Sequence, residues 1–428
     1  MVSPTGRVPL NPSPTAWRDA AARSARQAVR TASRFPAAHF ALAVGRTGLF
    51  LGRSLTKGQV AGAVKVEGAR EPRLSAALTA QVAMDELILA IMNNPSRVPE
   101  TSDLSRVRAE VEGAQALYAD RGWLADPQRF HGTPPALERP GVRPARWLGL
   151  RYERVTFDSA YEPHPDEPGR DRWLAHEANR TAYAWVLRHR EVENRPWLVC
   201  LHGFGTGRAF MDFYAFRAAF LHHVLGLNVA IPVHPMHGER STSRFSGADF
   251  MSHDLMNVVH GMAQSTWDTR RLVSWIRTQS PSAVGLYGVS LGGYLTALTA
   301  GLEDDLDCAI AGIPISSLPE LFHHHAPPRL KRHPDAQALL GEQVADVLSV
   351  VSPLSFAPRV PLDRRFMFAG LIDRMATPEQ AIALWEHWER PQIEWYGGNH
   401  IGYLWSNRVD AFVREALVES GLASSDAA

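Results

Sequence analysis

From about residue 151 onward, short runs of β-branched and aromatic residues alternate with longer segments of helical length. The later runs are mostly apolar throughout, as expected for parallel strands that are covered on both faces. The strand-like runs lie at residues 152–157, 181–187, 197–201, 228–233, 284–287, 309–313, 365–369 and 393–396. The helical segments between them lie at residues 209–225, 263–278, 292–302, 378–388 and 409–419. This alternation predicts an α/β fold with a mostly parallel, eight-stranded sheet and helices on both faces.

The first 150 residues differ in character and predict a helical N-terminal extension. Apolar residues at helical spacing, or an Ala- and Arg-rich composition, indicate three helices. The candidate helices cover residues 16–33, 74–92 and 102–118. In the second of them, Leu74, Leu78, Val82, Leu87 and Ile91 are expected to form one buried face. A proline-rich stretch at residues 132–144 is typical of a linker. We therefore expect two regions, residues 1–150 and residues 151–428, of which the second carries the sheet.

Charge is unevenly distributed along the chain, although the formal net charge is only +1. Between residues 1 and 60, Asp19 is the single acid among nine Arg and Lys residues. Such an arm can contact an anionic membrane surface or nucleic acid. The alternative that we favour is a solvated or partly disordered extension. We expect no nucleic-acid partner and assign any peripheral membrane contact to residues 16–60.

Two further features concern the cellular compartment. Cys200 and Cys308 each lie inside an apolar run, which predicts buried free thiols and suits a reducing environment. No stretch reaches the roughly 18 uninterrupted apolar residues of a membrane span, and the first residues do not resemble a secretory signal. The sequence therefore predicts a cytoplasmic protein, with contact to the inner membrane face left open.

A serine flanked by glycines stands between a strand-like run and a helical segment. The sequence Gly288-Val289-Ser290-Leu291-Gly292 follows the run that ends at Tyr287. In this strand–turn–helix context, G-x-S-x-G is the pattern of a nucleophile elbow. Side chains at 288 or 292 would collide across so sharp a turn. An incidental glycine-rich turn is the alternative, but we predict that Ser290 is a nucleophile.

A serine hydroxyl needs a base to remove its proton. His400 lies in a loop of small residues directly after the last strand-like run, and Asp373 lies in the loop after the preceding one. We predict His400 as the base and Asp373 as the acid that orients and stabilises its imidazole. Asp363 is the rival acid, but it precedes its strand and would lie at the opposite edge of the sheet.

Backbone N–H groups are expected to stabilise the oxyanion of a tetrahedral intermediate. One donor should be Leu291, directly after the serine, and the other should come from His202-Gly203-Phe204-Gly205-Thr206-Gly207, the loop after the run at 197–201. We favour the Phe204 amide, with Gly205 as the alternative. A phosphate-binding loop is disfavoured because the lysine of that motif is missing.

The His202-Gly203-Phe204-Gly205 loop, the serine elbow, Asp373 and His400 together resemble the α/β-hydrolase superfamily. Within it, the chain is similar to bacterial esterases of the dienelactone-hydrolase and prolyl-oligopeptidase-like branches. The resemblance covers residues 150–420 and matches the chain order Ser, Asp, His. It implies an acyl hydrolase that needs neither a metal nor a cofactor. Serine at position 290 disfavours relatives with an aspartate nucleophile, such as epoxide hydrolases and dehalogenases.

Two histidine-rich stretches suggest a zinc site at first sight. Their residues are His234, His237, Glu239, His323, His324, His325 and His333. The spacing does not repeat a two-ligand helix pattern and no cysteine accompanies it, so we predict no metal. Glu239 and Arg240 are expected to pair with each other beside the pocket.

Two long connections, residues 236–261 and residues 314–360, are candidate lids. Their apolar residues suit a small-molecule ester with an apolar acyl or aryl group, although ordinary surface packing is the alternative.

The sequence thus favours a serine-dependent carboxylic ester hydrolase that forms an acyl-enzyme on Ser290. Acyl transfer or peptide hydrolysis by the same residues remains open. So does a non-catalytic or membrane-associated binding module that uses the basic N-terminal segment.

Overall fold

The computed structural model describes residues 37–92, 101–191, 193–326, 331–332 and 340–424. The helix predicted over residues 16–33, most of the basic arm and His333 lie outside the described residues.

One nine-stranded sheet runs through the described part of the chain. Its strands are β1 (Gly141–Trp147), β2 (Leu150–Asp158), β3 (Thr181–Leu187), β4 (Trp197–Leu201), β5 (Asn228–Val233), β6 (Val284–Val289), β7 (Cys308–Gly312), β8 (Arg365–Gly370) and β9 (Gln392–Tyr396). The spatial order is β1-β2-β3-β5-β4-β6-β7-β8-β9. The pairs β1–β2, β2–β3 and β3–β5 are antiparallel, and the other pairs are parallel. The predicted α/β class is confirmed.

The predicted number of eight strands is wrong, because β1 lies where the sequence indicated part of a linker. This edge strand is mostly exposed and therefore lacks the apolar alternation of a half-buried strand. Its Pro144 is tolerated there because an edge strand pairs on one side only. Leu148 and Gly149, with φ values of 44° and 87°, form the two-residue turn into β2. The sheet thus begins before residue 150.

Helices cover both faces of the sheet, as predicted. The described helices are α1 (Ala37–Lys57), α2 (Ala76–Met92), α3 (Thr101–Asp120), α4 (Arg170–Leu174), α5 (Ala209–Ala215), α6 (Ala218–His223), α7 (Leu255–Arg277), α8 (Leu291–Ala300), α9 (Leu318–His325), α10 (Glu342–Ser349), α11 (Pro378–His387) and α12 (Asn407–Glu419). The single helix expected over 209–225 is broken at Arg217, whose φ is 49°. The sequence reasoning did not assign α1 as a helix.

Successive side chains of each strand point to opposite faces of the sheet, so the core has two layers. On β4, Val199 and Leu201 face the layer that contains α3, α7 and α8. Leu198 and Cys200 face the layer that contains α5, α6 and α12. Both cysteines of the chain are buried and free, as predicted. Because β4, β6, β8 and β9 are parallel, the loops that follow them meet at one edge of the sheet.

The core extends into the first 150 residues through α3. Val107, Val111 and Tyr118 of this helix are buried in the same layer as α7 and α8. The hydroxyl of Tyr118 donates to the buried carboxylate of Glu167 at 2.5 Å. This bond joins α3 to the segment that leads into α4.

We expect Tyr118→Phe to lower the free energy of unfolding by about 1–3 kcal/mol at pH 8, because a buried carboxylate loses a donor. Burial raises the pKa of Glu167 to about 7, so this group is largely charged at that pH. Urea unfolding followed by tryptophan fluorescence measures the change. Tyr161→Phe is the matched control, since Tyr161 packs on Trp267 and its hydroxyl makes no hydrogen bond within the described chain. An equal loss in both variants would contradict the prediction.

Candidate active site

Ser290 sits on a strained turn between β6 and α8. Its φ of 58° and ψ of −117° lie outside the regions that side chains usually adopt, and its N–H donates to Gly312 O at 2.9 Å. The turn needs both flanking glycines. A Cβ on Gly288 would lie 2.0 Å from Gly292 O, and one on Gly292 would lie 1.7 Å from Leu201 O. The close packing of the turn therefore requires glycine at both positions.

The side chains of Ser290, His400 and Asp373 form one hydrogen-bonded series. His400 Nε2 lies 2.9 Å from Ser290 Oγ, and His400 Nδ1 lies 2.6 Å from Asp373 Oδ2. The other oxygen of Asp373 accepts from the backbone N–H groups of Met375 at 2.8 Å and Ala376 at 3.0 Å. A neutral imidazole that donates from Nδ1 leaves Nε2 free to accept the serine proton.

The rival acid is placed elsewhere. Asp363 is exposed in the short helical turn that precedes β8, at the opposite end of that strand from Asp373.

Opposing effects act on the pKa of His400. Burial alone would lower this pKa, because it disfavours the imidazolium. The carboxylates of Asp373 and, more weakly, Asp85 outweigh burial, so the pKa of His400 is raised above its usual value. The charges around His400 thus favour the protonated form of its imidazole.

Asp85 is a residue of the site that the sequence reasoning missed. It lies on α2, is fully buried, and its Oδ2 accepts from the backbone N–H groups of His400 at 3.2 Å and Arg374 at 3.3 Å. Its Oδ1 accepts from Asn399 Nδ2 at 2.6 Å. Burial, and next the Asp373 carboxylate, raise the pKa of Asp85 to about 7. The side-chain carboxylate of Asp85, from the N-terminal region, therefore binds both the loop that carries His400 and the loop that carries Asp373.

Glu86, the next residue of α2, holds the outer side of the same loop. Its buried carboxylate accepts from Arg374 Nε at 2.5 Å and from Arg46 of α1 at 3.4 Å. The sequence did contain a sign that Asp85 and Glu86 have a special role, because they interrupt an otherwise apolar helical run. Charged side chains in such a run become buried and then need partners. The predicted apolar face of α2 included Leu87, which is only half-buried, whereas Asp85 and Glu86 are buried. The predicted face is thus wrong in this part of the helix.

The loop after β4 lies against the serine turn. A Cβ on Gly203 would lie 3.6 Å from Ser290 Cβ, so the backbone of this loop reaches the elbow. Gly205 and Gly207 have φ values of 83° and 90°, which favour glycine. Thr206 Oγ1 donates to Gly203 O at 2.8 Å and braces the loop. The structure thus brings the Phe204 segment close to the elbow, where Leu291 begins α8.

The first candidate lid is shorter than predicted. Asp254 caps α7, which therefore begins at Leu255 and includes the end of the expected connection. Phe250 and Met256 are buried in the core. Phe245 remains half-buried, and a Cβ on Gly205 would lie 3.3 Å from the Cζ atom of its ring. From this connection, Phe245 is the apolar side chain that reaches the loop beside Ser290.

The second candidate lid is described only in part, because residues 327–330 and 333–339 fall outside the described ranges. Its helices α9 and α10 contribute Leu318 and Val347 to the main core.

The expected pairing of Glu239 with Arg240 is wrong. Arg240 is fully buried and binds Asp268 of α7 at 2.8 Å, since a buried guanidinium needs a buried partner. Glu239 is half-exposed and lies 3.7 Å from Arg154 on β2.

Burial lowers the pKa values of His234 and His237. No three His, Cys, Asp or Glu side chains within the described ranges are grouped to hold a metal ion.

Comparison with solved structures identifies the fold. The acetyl xylan esterase from Paenibacillus sp. R4 superposes with a TM-score of 0.50 at 16% identity, covering 68% of this chain and 98% of that one. The chain has the α/β-hydrolase fold, so the resemblance seen in the sequence is confirmed at the level of the fold. No family model matches the sequence.

Two curated proteins of Mycobacterium tuberculosis are much more similar in sequence. They are the uncharacterized protein MT2702 of strain CDC 1551 / Oshkosh and the uncharacterized protein Rv2627c of strain ATCC 25618 / H37Rv. Each is 44% identical over 352 residues, which cover 82% of this chain and 84% of the relative. The chain belongs to the same family as these two proteins.

None of the helices in the described ranges combines the length and the apolarity needed to cross a membrane.

We expect Asp85→Asn to lower the pKa of His400, because the substitution removes a negative charge that stabilises the imidazolium. Proton NMR of the hydrogen-bonded Nδ1–H signal, followed as a function of pH, measures this shift. Asp363→Asn is the control, since this exposed carboxylate lies at the far end of β8 and should leave the titration unchanged. An unchanged titration in Asp85→Asn would contradict the electrostatic role of Asp85.

Proposed function

We propose that the protein is a serine-dependent hydrolase of carboxylic esters that works through an acyl-enzyme on Ser290. The observation that carries this proposal is the hydrogen-bonded series from Ser290 Oγ through His400 to Asp373, with distances of 2.9 and 2.6 Å. The α/β-hydrolase fold adds support, because its strand ends are where such a series is used.

In the proposed mechanism, Ser290 Oγ attacks the ester carbonyl while His400 Nε2 takes its proton. The Asp373 carboxylate stabilises the imidazolium. Collapse of the tetrahedral intermediate breaks the bond to the alcohol, which leaves with the proton from His400. Water, deprotonated by the same imidazole, then attacks the acyl-enzyme. The acid departs and Ser290 regains its proton.

The amides of Leu291 and Phe204 are the proposed donors to the oxyanion. Leu291 is the first residue of α8, where an N–H group has no intrahelical acceptor. The first turn of α8 also favours negative charge through its aligned peptide dipoles. Phe204 follows Gly203, whose backbone lies against Ser290. Both donors would then approach the same oxygen from opposite sides of the elbow.

The substrate we propose has an apolar acyl or aryl group. The rings of Phe204 and Phe245 are 5.8 Å apart, and Phe245 lies against Gly205 of the loop that borders the elbow. A small-molecule ester with an aromatic or alkyl substituent would cover these rings and remove their apolar surface from water.

Ser290→Ala should reduce the hydrolysis of p-nitrophenyl esters by about a thousandfold or more, because the nucleophile is lost. Labelling by a fluorophosphonate probe should vanish in the same variant, while circular dichroism stays unchanged. The assay uses a series of acyl chain lengths so that the preferred substrate appears in the same experiment. Ser349→Ala, which changes a serine on α10, is the control. Probe attached to a peptide without Ser290 would contradict the proposal.

The pH dependence of kcat/KM should have an acid limb whose midpoint lies above pH 6.5, the usual pKa of histidine. The reason is that only a neutral His400 accepts the serine proton, and its pKa is raised in this site. Activity should therefore fall as the pH falls through this raised pKa. A midpoint below pH 6.5 for an otherwise active enzyme would contradict the raised pKa of His400 in this site.

A further inference from the structure

The helix α1 has an unusual distribution of polar and apolar residues. The side that packs inward consists of His39, Ala43, Thr47, Phe50 and Ser54. Thr47 and Ser54 satisfy their hydroxyl groups on the helix backbone, at Ala43 O and Phe50 O, both at 2.8 Å. The buried side therefore contains three polar side chains, those of His39, Thr47 and Ser54, beside Ala43 and Phe50.

The outward side of α1 carries several exposed apolar side chains. Five of the thirteen large apolar side chains exposed among the described residues belong to this one helix. They are Phe40, Leu42, Val44, Leu49 and Leu55, and Phe40, Leu49 and Leu55 are 65%, 61% and 71% exposed. Glycines at 45, 48 and 52 lie between them, with nothing described within 4 Å of their Cβ positions. We call this surface the α1 face.

The charges of α1 indicate what this face contacts. At 100° per residue, Arg53 and Lys57 fall along one border of the α1 face, and the helix contains no acid. Arg46 lies on the same border but is paired with the buried carboxylate of Glu86. A second copy of the chain would bring identical cations to the same interface, which is unfavourable. An anionic lipid surface accepts both the apolar side chains and the flanking cations. We propose that the α1 face docks on anionic membranes, whether or not the protein is a hydrolase.

The inward side of α1 packs next to the loop that carries Asp373. Phe50 of α1 packs in one cluster with Val82 of α2 and Ile372, the residue before Asp373. The segment after α1 continues this contact, because Val64 N donates to Leu371 O at 3.2 Å. Docking would thus bring the edge of the sheet that carries Ser290 toward the lipid interface.

The test is co-sedimentation of the full-length protein with vesicles of phosphatidylglycerol and phosphatidylcholine, compared with vesicles of phosphatidylcholine alone. We expect binding that requires phosphatidylglycerol and weakens with salt. The variant Phe40→Ser/Leu49→Ser/Leu55→Ser should bind about tenfold or more weakly, since three large apolar side chains no longer enter the lipid. Arg53→Gln/Lys57→Gln should weaken binding specifically to the anionic vesicles.

The matched control is Leu148→Ser/Phe220→Ser/Leu362→Ser, which removes exposed side chains of the same types elsewhere on the surface and should bind like the wild type. Circular dichroism verifies that each variant is folded. Unchanged binding of the α1 variant would overturn the proposal, because the contact would then lie elsewhere in the chain. A wild-type dimer that ignores vesicles and dissociates in the α1 variant would also overturn it, in favour of a second copy.

Discussion

The candidate site depends on one close approach between backbones, that of the serine turn and the end of β4. Gly292 lies so near Leu201 O that a Cβ would be 1.7 Å away. This contact presses the start of α8 against β4 and brings the loop after β4 to Ser290. The strained conformation of Ser290 costs about 1–3 kcal/mol. The buried parallel strands on both sides offset this cost, and the hydroxyl stays directed at His400.

The N-terminal helices act on the same site from outside the sheet. The packing of α2 buries Asp85, and N–H donors from His400, Arg374 and Asn399 offset only part of the cost of burying its charge, since its pKa is raised to about 7. The result is a second carboxylate near an imidazole that already has Asp373 as its partner. Because both carboxylates favour the imidazolium, the first 150 residues influence the chemistry proposed for the last 140 or so.

The α1 helix contradicts the usual rule that apolar residues lie inside. Five of its large apolar side chains meet solvent while the polar side chains of His39, Thr47 and Ser54 are buried, and such exposure costs free energy in an isolated soluble protein. Local conflicts of this kind are expected where a surface has a function. This apolar surface lies on α1, which packs on α2 and on Ile372, next to Asp373, and α2 in turn binds the His400 loop through Asp85.

Periodicity and motif context were enough to predict the α/β class, eight of the nine strands, and Ser290, His400 and Asp373 as residues that come together. These inferences depend on local order along the chain, because a parallel sheet places the residues that follow its strands at one edge. The exposed strand β1 escaped prediction, since an edge strand needs neither apolar alternation nor freedom from proline.

The partner of Arg240, the buried face of α2 and the place of Asp85 were decided only by the tertiary structure. In each case a charged group is buried against a residue far away in sequence, such as Asp85 against His400. Local patterns carry information about which segments become strands and helices. They carry none about which distant donor satisfies a buried charge, because that choice depends on how the finished elements pack.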